Sequence, residues 1–151
     1  MHPLAHMLTG ALIGQAAPNP VTAVLGGFFS HHLLDAIPHT EGKTFNPQPD
    51  AALGAELIAA GLQCAAGTLM LIWLIGNCDG ANPLPIVLGS LAALLPDFVD
   101  LPLRTLFGIS LLHVPGLHWT VQRRHAVWGL LTQMAVAGAA IVALWRGSGC
   151  D

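Results

Sequence analysis

Between Ser30 and His39 the chain reads Ser-His-His-Leu-Leu-Asp-Ala-Ile-Pro-His, three histidines and a carboxylate within ten residues at the end of an apolar run. Imidazole and carboxylate are the donors that zinc and related first-row ions take. Residues three or four apart share a face of a helix, so His31 and Asp35 are expected side by side, with the adjacent His32 as a bystander. Pro38 drives Ile37 out of helical geometry, which places His39 just past the helix end, where the chain can bend back toward the same point.

Asp97 and Asp100 form a second candidate group, three apart and bracketed by Pro96 and Pro102. Pro96 is suited to the first position of a short new helix on which both carboxylates face one way. Two such carboxylates raise each other's pKa, and a bound dication reverses that; the alternative is that they cap a helix at the headgroup boundary. His6 and His125 each open an apolar run and are further ligand candidates, against the reading of a histidine that reaches for the interface. His2, His113 and His118 stand near the terminus or in irregular stretches and are read as solvated. Glu56 and Gln63, seven apart, share one face of the longest apolar run; Glu56 suits a general base or a partner of a ligating histidine, or a plain interhelical hydrogen bond.

The elements that must position these groups are set by composition. Of 151 residues, 54% are hydrophobic and 9% charged, where soluble domains carry about a quarter charged. That is the composition of an integral membrane protein, and its length is that of one domain spanning residues 1–151. A net charge of −3 with no basic patch excludes nucleic acid as a partner. No charged leader followed by a cleavage site is evident, and the apolar segments themselves suffice to target a membrane. Three widely spaced cysteines without a C-x-x-C give neither a zinc ribbon nor a disulfide scaffold.

In chain order, Leu4 to Ala17 predicts a helix of roughly 21 Å, short for a span, stopped by Pro18-Asn19-Pro20. Val21 to Ile37 predicts a second helix at the lower limit of spanning length, closing a hairpin. Pro38 to Asp50 is a polar loop, Ala51 to Gly76 a long span, and Asn77 to Pro83 a polar turn. Leu84 to Leu95 leads into the Asp97–Asp100 stretch, Leu103 to Gly116 reads as an interfacial segment, and His125 to Trp145 as a last span. The expected fold is therefore an all-α transmembrane bundle with about four spanning helices and one short interfacial segment. Gly54, Gly61, Gly67 and Gly138 fit close helix packing.

If these helices alternate, His6, His31 to His39, Asp97, Asp100 and His118 to His125 all fall at one membrane face. The other face receives Asn19, the Asn77 to Pro83 turn and the C-terminal tail. Lys43, Arg104, Arg123 and Arg124 lie with the histidines and Arg146 on the far side, so the clustered face is expected to be cytoplasmic. Cys78 and Cys150 then share the oxidising side, as a disulfide or as two free thiols.

Three stretches carry a resemblance: Ala5-His6-Met7-Leu8-Thr9-Gly10, Leu94-Leu95-Pro96-Asp97-Phe98-Val99-Asp100, and the final helix opened by His125. In that order they resemble the small inner-membrane proteins called membrane-bound metal-dependent hydrolases, the YdjM-like group. Ser30 to His39 is similar to segments of related members. The family's second region usually reads like H-R-G-x-T-H-S; here His118-Trp119-Thr120-Val121-Gln122-Arg123-Arg124-His125 has wider histidine spacing and no Gly or Ser.

The resemblance implies a metal-dependent hydrolase of the inner membrane. The residues themselves suggest a divalent-metal site at the cytoplasmic interface, with zinc first and manganese or iron as alternatives. The expected ligands are His6, His31, Asp35, His39, Asp97, Asp100 and His125, with Asp35, Asp97 and Glu56 as catalytic candidates. A dinuclear version needs two ions about 3.5–4 Å apart, bridged by Asp35 or Asp97. The location points to an ester or phosphoester of a membrane lipid as substrate. A non-enzymatic ion carrier or sensor is the rival, and a haem protein would leave the carboxylates unexplained. Oligomeric state is not written in the chain.

Overall fold

The computed structural model describes residues 1–40, 49–109, 111–112 and 126–150. They form five helices: α1 (Pro3–Ala16), α2 (Pro20–Asp35), α3 (Pro49–Asn77), α4 (Pro83–Phe107) and α5 (Ala126–Gly147). Three segments are long and apolar enough to cross a membrane, Leu57–Asn77, Pro83–Asp100 and Val127–Gly147. The sequence expectation of about four spans is one more than the described residues show. The difference lies in the N-terminal hairpin, where α1 has 14 residues and α2 has 16, about 21 and 24 Å of helix against a hydrocarbon layer of about 30 Å.

The boundaries follow from local chemistry. Proline occupies the first turn of α1, α2, α3 and α4, where its missing N–H costs nothing. Asn19 caps α2 reciprocally: its side chain accepts from the Thr22 N–H at 3.0 Å, while Thr22 Oγ1 accepts from the Asn19 N–H at 3.4 Å. Pro96 does not start a new helix, because α4 runs through both Pro96 and Pro102 to Phe107. Leu103 to Phe107 is thus the end of α4 rather than a separate interfacial segment. Proline inside an apolar helix is tolerated where neighbouring groups compensate the lost ladder bond.

The first helix sits at the centre. α1 packs against each of the other four helices, and α2 lies along α4. Leu8, Ala11, Leu74, Ile86 and Leu144 form the buried core at this junction. Outward faces are apolar, with Leu62, Leu69, Ile72 and Trp73 on α3, Leu91, Leu95 and Phe98 on α4, and Val127, Met134 and Val142 on α5 all exposed. In water that surface would be untenable, and in lipid it is the ordinary outside of a bundle.

The closest helix approach is made by glycines other than those expected. Gly10 on α1, Gly27 on α2 and Gly89 on α4 meet backbone to backbone: a Cβ on Gly10 or Gly27 would collide with the Gly89 carbonyl, and one on Gly89 with the Gly10 carbonyl. Gly14 stands equally close to the Pro85 carbonyl. Of the glycines singled out from sequence, a Cβ on Gly67 would come within 2.7 Å of Met7 Sδ, while one on Gly54, Gly61 or Gly138 would have nothing within 4 Å.

The end away from the histidines is braced. Gln15 Nε2 donates to the Gly80 carbonyl at 2.8 Å and the Gly147 carbonyl at 3.0 Å, and Gln15 Oε1 accepts from the Asn82 N–H at 2.9 Å. The Gly80 N–H donates to the Ser148 carbonyl at 2.9 Å. Cys78 and Cys150 form a disulfide here, which settles the two alternatives in favour of pairing. Replacing both cysteines by serine is expected to lower stability by about 2–4 kcal/mol, read as an earlier thermal unfolding in detergent. Metal content, set at the opposite end, should not change.

Candidate metal centre

His6 lies one turn inside α1, His31 and Asp35 in the last turns of α2, and Ala93 and Asp97 on either side of the middle of α4. The glycine contact is one helical turn away in each case: Gly10 follows His6 by four residues, Gly27 precedes His31 by four, and Gly89 precedes Ala93 by four. Because the backbones touch there, the next turn brings the three helices' side chains to a common point. Ser90 Oγ adds to this by donating to the Met7 carbonyl at 3.0 Å, next to His6.

At that point His6, His31 and Asp35 are fully or almost fully buried, at 0%, 0% and 2% exposure. One ligand atom from each lies within 4.8 Å of the others, which makes them a group able to hold a metal ion. His6 Nε2 is 3.1 Å from Asp35 Oδ1, and His31 Nε2 is 3.2 Å from Asp35 Oδ2. Around a tetrahedral ion with bonds of about 2.0–2.1 Å, neighbouring ligand atoms stand about 3.3 Å apart. The two imidazoles stack, with centroids 4.1 Å apart and planes 21° from parallel. The Met1 amino group also contacts Asp35 Oδ1.

Two details test whether these residues suit a metal. His31 Nδ1 is 2.9 Å from the Ala93 carbonyl, which can only accept, so Nδ1 carries the proton. In the neutral ring Nε2 then presents its lone pair toward Asp35, the tautomer and orientation of a histidine held for metal binding. His6 Nε2, although 3.1 Å from Asp35 Oδ1, is not aligned for a hydrogen bond, and His6 Nδ1 has no hydrogen-bond partner among the described residues. Two imidazoles and a carboxylate converging in a buried place are donors that a divalent ion takes. The donor set therefore fits a divalent ion.

The other expected site residues are placed as follows. Asp97 stands at the rim, its side chain 39% exposed and its Oδ1 3.9 Å from His31 Nε2. Asp100 is buried, and its carboxylate accepts from the Leu111 N–H at 3.0 Å and the Leu112 N–H at 3.0 and 3.1 Å, so it closes the turn after α4. His39 is buried with Nδ1 2.7 Å from the Ile37 carbonyl. His32 is half-buried against Phe28, with ring centroids 5.1 Å apart. The Glu56 side chain and His113, His118 and His125 lie outside the described residues.

Two contributors were not anticipated. The Ala93 carbonyl leaves no mark on side-chain pattern, so nothing in the sequence could have found it. Gln133 could have been found as a lone amide in an otherwise apolar span. It is 4% exposed, and its Nε2 donates to the Thr40 carbonyl at 2.8 Å and to Thr40 Oγ1 at 2.6 Å, fastening the segment that carries His39 to α5.

Comparison of the chain with protein-family models, with curated proteins and with solved structures finds no match. The helices and the His6–His31–Asp35 group therefore stand on their own geometry: an all-helical, membrane-type bundle with a buried group that can bind a metal.

Proposed function

We propose that this chain is an inner-membrane, metal-dependent hydrolase acting on an ester or phosphoester of a lipid-like substrate near the cytoplasmic side. The observation that carries the reading is the buried His6–His31–Asp35 group with His31 locked by the Ala93 carbonyl. Two histidines and one carboxylate form the three-ligand set of hydrolytic zinc centres, which keep a fourth position open. Zinc suits these donors best, with manganese or iron as alternatives. An ion bound there supplies a water acidified to a pKa of about 7. Asp97, partly exposed and with Oδ1 3.9 Å from His31 Nε2, is the proposed general base. Glu56 stays in the proposed set as a second base and His125 as an alternative ligand, both on sequence grounds alone.

The rival reading, an ion carrier, needs a polar path from this group to the far face. Immediately beyond the group the helices close on each other at Gly10, Gly27 and Gly89. Leu8, Ala11 and Ile86 are buried among them. That closure favours hydrolysis over transport.

The test is metal analysis of purified protein followed by turnover assays with lipid esters and phosphoesters. The proposal expects about one divalent ion per chain and metal-dependent turnover. Protein that carries no stoichiometric metal defeats it, and metal-loaded but inert protein transfers the site to the ion-handling class.

A further inference from the structure

We infer that the His6–His31–Asp35 group lies within the hydrocarbon layer rather than at its boundary, and that its substrate is therefore a carboxylic ester of a glycerolipid rather than a headgroup phosphoester. The inference rests on the proposed reading of the chain as a membrane hydrolase and adds the depth of its site.

The depth follows from helix register. The braced end marks one boundary, since two of the candidate spans end at Asn77 and Gly147 and the third begins at Pro83. Trp73 and Trp145, stacked with centroids 5.0 Å apart, stand close to that plane, as interfacial tryptophans do. At about 1.5 Å per residue, Leu57 and Val127 lie about 30 Å away, one hydrocarbon thickness. Along α1, His6 is only about 15 Å from the braced end at Ala16. Along α2, His31 and Asp35 are about 16 and 22 Å from Pro20, and along α4, Asp97 is about 21 Å from Pro83. The group thus occupies the middle of the layer and the part just on its cytoplasmic side, while α3 and α5 continue past it as apolar helix.

The outer surface at the same level supports this independently. Phe29 and Leu33, flanking His31 on α2, are 59% and 71% exposed, and Leu91, Leu95 and Phe98 around Ala93 and Asp97 on α4 are 56%, 46% and 60% exposed. A site at the headgroup level would be ringed by polar side chains or by tryptophan. This one is ringed by leucine and phenylalanine. Carboxylates at such depth are costly enough to mark function.

Depth selects the bond. In a glycerolipid the acyl ester borders the hydrocarbon, whereas the phosphate lies farther out with the headgroup. A lipid drawn sideways into the group presents its ester carbonyl first. Water adds at that carbonyl carbon, the acyl C–O bond breaks, and the products are a fatty carboxylate, a proton and the lysolipid alcohol.

Two measurements on the full chain in phosphatidylglycerol nanodiscs test the inference. In a Cys64→Ala background, spin labels at Leu33→Cys and Leu95→Cys should show the oxygen-over-nickel accessibility of a label at Leu69→Cys, and well above that of a boundary label at Leu84→Cys. Labels that behave like the one at position 84 overturn the depth. In the metal-loaded protein, release of fatty acid without release of phosphoglycerol is expected. Phosphoglycerol release overturns the ester assignment while leaving the hydrolase reading intact. Release of neither product overturns the hydrolase reading and the ester assignment with it, and the spin labels still report the depth separately.

Discussion

Asp35→Ala is expected to empty the metal centre, lowering bound zinc from about one per chain to below about a tenth. Asp35 bridges the two imidazoles, one carboxylate oxygen 3.1 Å from His6 Nε2 and the other 3.2 Å from His31 Nε2. Loss of an outer partner of a metal ligand costs about 10–100-fold in affinity, and loss of a ligand that also supplies the negative charge costs more. Asp97→Ala should behave differently. Its Oδ1 is 3.9 Å from His31 Nε2 and its side chain is 39% exposed, so this variant should keep most of its metal and lose turnover. Metal content by mass spectrometry is the direct readout. Thermal unfolding with added zinc is the second: a ligand at about 100 times its Kd adds about 2.7 kcal/mol of stability, which the wild type should gain and Asp35→Ala should not. An Asp35→Ala protein with undiminished metal would remove the centre from this location.

Gly89→Ala should destabilise the fold by more than about 3 kcal/mol, beyond the usual range for overpacking. The added Cβ would meet the Gly10 carbonyl, with Gly14 Cα only 3.1 Å away, and both are backbone that cannot rotate aside. α1 and α4 must then separate, which also moves His6 on α1 away from the α4 side of the group. For a chain of this size the expected fall in unfolding temperature is roughly 6–12 °C. Gly76→Ala is the matched control, because nothing lies within 4 Å of its Cβ position, and it should be neutral or slightly stabilising. Equal melting temperatures for the two variants would mean that the glycine contact does not hold the helices.

The convergence at the site was legible in part because it rests on two periodicities. The four-residue spacing of His31 and Asp35 dictated that they share a helix face, and alternation of apolar runs carried His6 and Asp97 to the same end. What stayed hidden depends on backbone. The Ala93 carbonyl is anonymous in sequence, and glycines in tight contact, such as Gly27, look the same as glycines in open space, such as Gly61. Pro96 read as a helix start because proline usually ends a helix, yet inside a bundle its missing N–H is tolerated and α4 continues. The number of spans was overstated because apolar composition does not report length: α1 and α2 are apolar, but at 14 and 16 residues they fall short of a spanning helix.

The disulfide at the braced end imposes a parity on the topology. Cys78 and Cys150, 72 positions apart in sequence, can be joined only if both lie on one side of the bilayer, so the chain between them must cross it an even number of times. α4 and α5 supply two crossings, and the chain between them can add only pairs. The bond also records the history of folding: it cannot close until the last helix has brought Cys150 to the side where Cys78 lies. A thiol-blocking gel shift on newly made chains would therefore report, molecule by molecule, when the bundle has finished threading.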